Sequence, residues 1–369
     1  MEHILERLTM HRRNLHQIPE LGDELYKTKE YLLSVLKELD CEITEVLNSG
    51  LLVYFDKGKE TTVGFRADMD ALPVTEVNEV PYKSTHEGRM HACGHDGHMT
   101  LALGLAEYAA SHDTKHNILI IFQPAEEILG GGQQMCESGE INKYDPIAFL
   151  AFHMWPFAEA GKVVTKSGAI FSQLTILDVD FTGTSAHVTQ PENGVNALHA
   201  ASMFIDDAYK KHADICANAQ GPEDKTILGM CVMECGTAFN IIPNKATVKG
   251  CVRSFSDGND KLLMETVRTS AETMAAKIGA GTDIRIINTC PAVINDTALY
   301  KKAKEMGAGE LEAPQLVSED FAHFSKIAPS LLMMLGTGTG IPLHGDTFDF
   351  NEEVLVKGVE FAAKLIETI

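Results

Sequence analysis

Residues 117–127 read NILIIFQPAEE: an unbroken apolar run from Ile118 to Phe122, followed almost at once by two adjacent carboxylates, Glu126 and Glu127. Such a run is the mark of a strand buried on both faces. Covering both faces takes helices on either side, the arrangement of a parallel or mixed sheet. IAFLAF (147–152) has the same character. Ahead of these, residues 1–17 and 26–39 carry apolar positions at helical spacing, and LLVYF (51–55) and TTVGFRADM (61–69) read as strands. A helix is expected from about Asp96 through LALGLAEYAA. The expected class is α/β, built on a mixed sheet.

From Gln173 the pattern changes. QLTILDVDF (173–181) alternates like a strand with one covered face, and residues 194–211 read as a helix. KTILGMCVMEC (225–235) and KATVKGCVRSF (245–255) read as two strands, 259–277 as a second helix and DIRIINTC (283–290) as a last strand. The order β-α-β-β-α-β is that of the ferredoxin-like split motif. After Pro291 the first pattern returns: a helix in TALYKKAKEMG, a short strand in LLMMLG (331–336) and a helix from about Asn351. The expected organisation is a discontinuous α/β domain over 1–172 and 291–369, with a ferredoxin-like domain inserted at 173–290.

The 369 residues exceed the usual size of a single core, in keeping with two domains. A formal net charge of −21, with no offsetting Lys/Arg cluster, argues against nucleic acid and anionic membrane surfaces as partners. No apolar run is long enough to span a bilayer, and MEHILERLTMHRRNLHQ lacks the apolar core of a signal peptide, so a cytoplasmic location is expected. The eight cysteines are scattered, without the dense framework of a small secreted domain, and reduced thiols are expected. Cys93 then needs a reason other than a disulfide.

Its neighbours supply one. MHACGHDGHM (90–99) packs His91, Cys93, His95, Asp96 and His98 into one glycine-punctuated stretch. Other metal-binding side chains stand where strands run out: Asp68 and Asp70 in FRADMDALP, Glu126 and Glu127 after NILIIF, His153 after IAFLAF, and His344 in the loop GIPLHGD after LLMMLG. In open α/β sheets ligands bind beyond the carboxyl ends of the strands, where all these groups can meet. Imidazoles, a thiolate and carboxylates together suit a pair of zinc-like divalent ions. Cys93 and His95, two apart in an extended loop, would project to the same side, and of the adjacent glutamates one can hold metal while the other faces water. Taken singly, each residue has a plainer reading: a strand-end histidine usually hydrogen-bonds, and a buried cysteine usually packs. His11, His16, His86, His112, His116, His199, His212 and His323 keep that plainer reading. For the named set, their concurrence at strand ends overturns it.

The stretches RRNLHQIPELG, RADMDALP, MHACGHDGHM, FQPAEE, FHMWP, NIIPN and SEDFAHF occur in order over nearly the whole chain. Together they resemble the hippurate-hydrolase branch of the aminoacylase/carboxypeptidase metallopeptidases. That branch includes N-acyl-amino-acid amidohydrolases, indole-acetyl-amino-acid hydrolases and N-acetyldiaminopimelate deacetylases. The resemblance implies a zinc-peptidase-like catalytic domain with an inserted lid or dimerisation domain. It implies two divalent ions per subunit (zinc, manganese, cobalt or nickel) held by Cys93, His95, Glu127, His153 and His344, with Glu126 as general acid/base. Asp70 matches a carboxylate that orients a ligand. In the inserted domain His187 matches a histidine that stabilises the oxyanion, often in the partner's active site, and Asn240 and Arg253 match positions that hold the substrate carboxylate. Two departures stand out: TGTSAHVTQP replaces the glycine-rich approach to His187 (GKGGHAA.P in many members), and His344 precedes Gly345 where relatives often carry paired histidines.

The expected function is metal-dependent hydrolysis of the amide of a small N-acyl amino acid, giving a carboxylic acid and a free amino acid. Glu126 would take a proton from water and return it to the leaving amine. An exposed edge of the inserted sheet makes a homodimer through that domain the economical assembly. The rival readings are N-acetyldiaminopimelate deacetylation in lysine biosynthesis, a dipeptidase, and, in a different class, a non-catalytic metal-binding protein.

Overall fold

A computed structural model describes residues 2–369, which divide into two units. The first gathers the chain up to Ile170, Val293–Glu312 and Glu319–Ile369. Its strands are β1 (Glu42–Val46), β2 (Gly50–Phe55), β3 (Thr62–Asp68), β4 (Asn117–Gln123), β5 (Pro146–Trp155), β6 (Val163–Thr165), β13 (Gly309–Glu310) and β14 (Ser330–Gly336). They form one sheet in the order β1-β2-β4-β3-β5-β14-β6-β13. The central β4, β3, β5 and β14 run parallel, while β2, β1 and β6 join antiparallel. Every residue of β3, β4 and β14 is buried, as their continuous apolar sequences require.

Helices α1 (Glu2–His16), α3 (His95–Ser111) and α8 (Glu353–Ile366) pack on one another and, through α3, on the sheet. The other face holds α4 (Gly131–Glu137) and a 3-10 turn at Asp320–Lys326, where Phe149 meets Phe324 edge to face at 5.2 Å. Gly64 permits that layer to close, because a Cβ there would lie 2.4 Å from the Phe149 ring. α2 (Tyr26–Leu36) and α7 (Thr297–Glu305) complete the unit.

The second unit comprises Phe171–Ala292 and Ala313–Ser318. Between the short β7 (Gly168–Phe171) and β12 (Val293–Asn295), which pair with each other, run β8 (Gln173–Thr182), α5 (Ala197–Ala217), β9 (Ile227–Cys235), β10 (Lys245–Ser254), α6 (Asp257–Lys277) and β11 (Gly281–Cys290). The four-stranded antiparallel sheet has the order β11-β8-β10-β9, the ferredoxin-like arrangement. Leu177, Val179 and Phe181 alternate onto the helix side, where they pack with Phe204, Leu263 and Val267. The helices begin at Asn196 and Ser256, whose side chains accept the His199 and Asn259 amide N–H groups.

The sequence assigns 291–369 wholly to the catalytic part, but 313–318 packs with the inserted unit. The Ser172 amide donates to the Val317 carbonyl and Arg253 donates to that of Leu316, so backbone hydrogen bonding claims this segment. The sequence also gives no sign of β1, whose EITEV buries only Val46 and so lacks an apolar stripe.

Candidate metal centre

The carboxyl ends of the parallel strands share one edge. Asp68 is opposite Gln123 across β3 and β4, Arg66 is opposite Ala151, and His153 is opposite Met334 across β5 and β14. The chain arriving at this edge contributes the rest. Cys93 and His95 are not on an extended loop as the sequence suggested. Gly94, at φ 88°, makes a left-handed turn that starts α3, so the thiol closes the loop and the imidazole opens the helix. His344 also stands in the left-handed region, at φ 64°, on an exposed rim with its amide bonded to the Ala92 carbonyl.

Three donor groups overlap: Cys93, His95 and His153; Cys93, Glu127 and His344; and His95, Glu126 and Glu127, each with ligand atoms within 4.8 Å of one another. The His153 Nε2 lies 3.7 Å from Cys93 Sγ, and Glu127 Oε1 lies 3.8 Å from His95 Nε2 and 3.6 Å from His344 Nε2. His187, Asn240 and Arg253 belong to the second unit.

Backbone carbonyls set the histidine tautomers. His95 Nδ1 donates to the Asp70 carbonyl at 2.7 Å and His153 Nδ1 to that of Met154 at 2.9 Å, so each ring turns its Nε2 toward the cluster. The His95 Nε2 and Glu127 Oε1 are buried and have no hydrogen-bond partner. Orphaned acceptors converging with a thiol are costly unless something electropositive fills the space between them, and the donor set fits a divalent cation.

The proton affinities agree. Burial, followed by Glu127, pushes the Cys93 thiol well above its usual range, and burial carries Glu127 up to about 7. Burial also pushes His153 down to about 3. The thiol, Glu127 and His153 are groups whose charge lacks compensation. His95 moves the other way: burial lowers it, but Asp68 and Cys93 outweigh burial and raise it well above the imidazole range. A divalent cation at this anion-rich site would reverse the shifts of the thiol, the carboxyl and this imidazole. Glu126 is raised well above the carboxylate range by burial and by Glu319 and Asp320.

Asp70 works through its whole residue. While its carbonyl holds His95, its carboxylate accepts the amide N–H groups of Glu126 (3.0 Å) and Glu127 (3.1 Å). His98 is fully committed to structure: Nε2 accepts the Met154 amide at 2.8 Å, leaving Nδ1–H to donate to Asp68 at 2.6 Å. His91 is buried with neither ring nitrogen hydrogen-bonded.

Sequence reasoning missed the group behind Glu126. Arg66, fully buried, donates to Asp68, Gln123, Glu319 and Asp320. A charged residue inside the apolar TTVGFRADM was the available signal, since a buried guanidinium demands buried partners.

In the second unit the Thr189 amide N–H donates to His187 Nδ1 at 3.3 Å, which leaves the ring proton on Nε2. The Val188 amide donates to the Asn240 carbonyl, so the two loops travel together. Arg253 is elsewhere: the His187 loop leaves from Thr182, opposite Lys245, whereas Arg253 is opposite Leu174 at the far end of β10, about 26 Å along the strand. There its Nη1 donates to the Leu316 carbonyl and the Ser318 hydroxyl.

A model of peptidase family M20/M25/M40 matches residues 64–368. The chain is 33% identical over 362 residues to the N-acetyldiaminopimelate deacetylase of Ligilactobacillus salivarius, covering 94% of this chain and 93% of that one. A Bacillus subtilis structure, a dinuclear metal-binding peptidase of the M20 family, superposes with a TM-score of 0.86 at 27% identity, over 100% of this chain and 99% of that one. A structure from methicillin-resistant Staphylococcus aureus gives 0.92 at 27% identity, over 100% and 97%.

Proposed function

We propose, from the premise that this chain belongs to peptidase family M20/M25/M40, that it removes the acetyl group from N-acetyldiaminopimelate, releasing acetate and the free diamino acid. The chain is a metal-dependent hydrolase acting on amide bonds of acylated small molecules. The observation that carries the narrower substrate is the full-length relationship to the L. salivarius deacetylase. It favours this reading over a general N-acyl-amino-acid amidohydrolase or a dipeptidase.

In this reading Cys93, His95, Glu127, His153 and His344 hold two divalent ions. These, when bound, supply Lewis acidity to the scissile carbonyl and to the attacking water. Zinc, manganese, cobalt and nickel all suit this mixed donor set. Glu126, on the same loop as Glu127 and almost wholly buried, accepts the proton of the water and returns it to the leaving amine. A carboxyl held in a dry site well above the usual carboxylate range is suited to carrying that proton through the reaction. Asp70 fixes both glutamates through their amides and His95 through its carbonyl.

The second unit supplies the oxyanion donor, His187 Nε2–H, with Asn240 beside it and Arg253 as a carboxylate anchor. All four chain crossings into this unit fall near the end of its sheet where Leu174, Arg253 and Cys290 lie in register, while the His187 loop springs from the other end. The open outer strand β9, with Val232 and Met233 exposed, favours a homodimer through this unit, in which His187 serves the partner's substrate.

The deciding experiment compares hydrolysis of N-acetyl-LL-2,6-diaminopimelate with a panel of N-acetyl, N-benzoyl and dipeptide substrates, before and after chelation and on readdition of Zn²⁺, Mn²⁺, Co²⁺ or Ni²⁺. The expected result is a clear preference in kcat/KM for the diaminopimelate derivative and loss of all activity without metal. A preference for aromatic acyl groups would return the chain to the general aminoacylase reading.

A further inference from the structure

The loop between β4 and α4 presents Glu126 and Glu127 in a shape it does not hold unaided. Ala125 and Leu129 both lie in the left-handed region, at φ 60° and 55°, which side chains rarely adopt. Asp70 secures the middle of the loop through two amides. Its ends are secured by a residue the chemistry does not use. Asp320, 1% exposed, accepts the Gly132 amide N–H on Oδ2 at 2.7 Å. On Oδ1 it accepts Gln123 Nε2 at 2.7 Å and Arg66 Nη2 at 2.8 Å. Gln123 closes the strand that enters the loop and Gly132 lies in the first turn of the helix that leaves it, so one carboxylate, 188 residues away in sequence from Gly132, grips both.

Charge neutralisation alone does not explain this. Arg66 already has Asp68 at 2.6 Å and Glu319 at 2.9 Å. The surroundings are also shaped for the contact: a Cβ on Gly132 would lie 2.6 Å from the Asp320 carbonyl oxygen, a backbone atom that cannot swing aside.

We propose that Asp320 is a positioning residue, which fixes the Glu126–Glu127 loop by holding Gln123 and Gly132 and so sets where the proton-carrying carboxylate stands. The proposal rests on the reading of Glu126 as the acid/base. Displacements of the order of 1 Å at a reacting group cost roughly 100-fold in rate.

The test uses the full-length, metal-loaded protein and four variants, with kcat, KM and hydrogen exchange of the 124–132 amides as readouts. Asp320→Ala is expected to lower kcat by roughly 100-fold with KM little changed, and to speed amide exchange through the loop. Asp320→Asn, which keeps an acceptor for Gly132, should recover part of both. Gly132→Ala removes no partner of Arg66 but pushes a methyl group against Asp320, and should reproduce the loss from the opposite side of the contact, which keeps the test open if Asp320→Ala fails to fold. Wild-type kcat in a folded Asp320→Ala or Gly132→Ala protein, or a kcat loss without faster exchange in the loop, overturns the proposal. Full activity in Glu126→Gln would instead remove the acid/base reading beneath it, whatever the exchange data show.

Discussion

The eight-stranded sheet hides both of its faces, whereas the four-stranded sheet hides only one. In the first, β3, β4 and β14 are buried at every position, and polar side chains are displaced to the strand ends. There they meet without solvent, as orphaned acceptors and strongly shifted carboxyls and thiol. In the second, the face away from the helices carries Asp178, Asp180, Thr247 and Arg285 as a ladder of hydrogen bonds and ion pairs in contact with water. Polar groups there cost little. The difference separates two ways of placing function: donors built into a dry edge, where buried partners fix them, and donors on loops above a wet sheet, where exposed His187 is held by its own loop.

Glu126→Gln tests the dry edge most severely. The general base is removed and no proposed ligand is touched, so turnover should fall by about 100- to 10,000-fold while metal content, read by elemental analysis, stays near wild type. Loss of metal along with activity would make Glu126 a ligand.

His187→Ala should cost roughly 100- to 1,000-fold in turnover, but with a remedy the first unit does not offer. Mixed with Glu126→Gln protein under conditions of subunit exchange, it should regain up to roughly a quarter of wild-type activity, because a heterodimer collects both lesions in one composite site. If heterodimers are seen by mass spectrometry and no activity returns, the trans arrangement is excluded.

The core of the first unit carries a smaller, pH-dependent effect. Burial disfavours the charged form of His16, but hydrogen bonds to Asp96 (2.8 Å) and Glu76 (3.3 Å) outweigh it and hold its pKa at about 9. A folded value above the unfolded one means stabilisation that is complete below about pH 6.5 and lost as pH rises toward 9. It is on the order of 3 kcal/mol for this shift. In urea melts, wild type minus His16→Gln should narrow across that window, and a constant gap would show that the imidazolium is not the stabilising form. Least sensitive of all should be the wet face. Asp180→Asn is expected to leave the melting midpoint unchanged within error, since exposed pairs contribute little. A marked drop would show that this face is covered in the assembled protein.

Much of the dry edge could be read from the chain because a doubly buried strand has an unmistakable sequence: NILIIF announces itself, and whatever follows it must stand at the sheet's edge. That reasoning reaches Glu126, Glu127 and His153. It does not reach the grip of Asp320 on Gly132, which depends on a contact between residues far apart in sequence, nor the left-handed Gly94 that turns Cys93 and His95 from loop neighbours into a loop end and a helix start. The tautomers of His95 and His153 were equally out of reach, because backbone carbonyls set them and no side chain records it. The ferredoxin-like unit was legible in outline from its alternation. The assignment of 313–318 to it was not, since that segment is claimed by main-chain hydrogen bonds and not by an apolar pattern.

The place of β14 between β5 and β6 has a consequence at the ribosome. Synthesis at ~5–20 residues per second delivers Ser330 roughly 10–35 s after Trp155. Until then the half-built sheet offers the long edge of β5, apolar but for His153, to any passing strand. All of the inserted unit is made within that interval and can close on its own core. The yield of active protein is therefore expected to fall when translation of residues 171–329 is slowed, because the waiting edge then stays open longer.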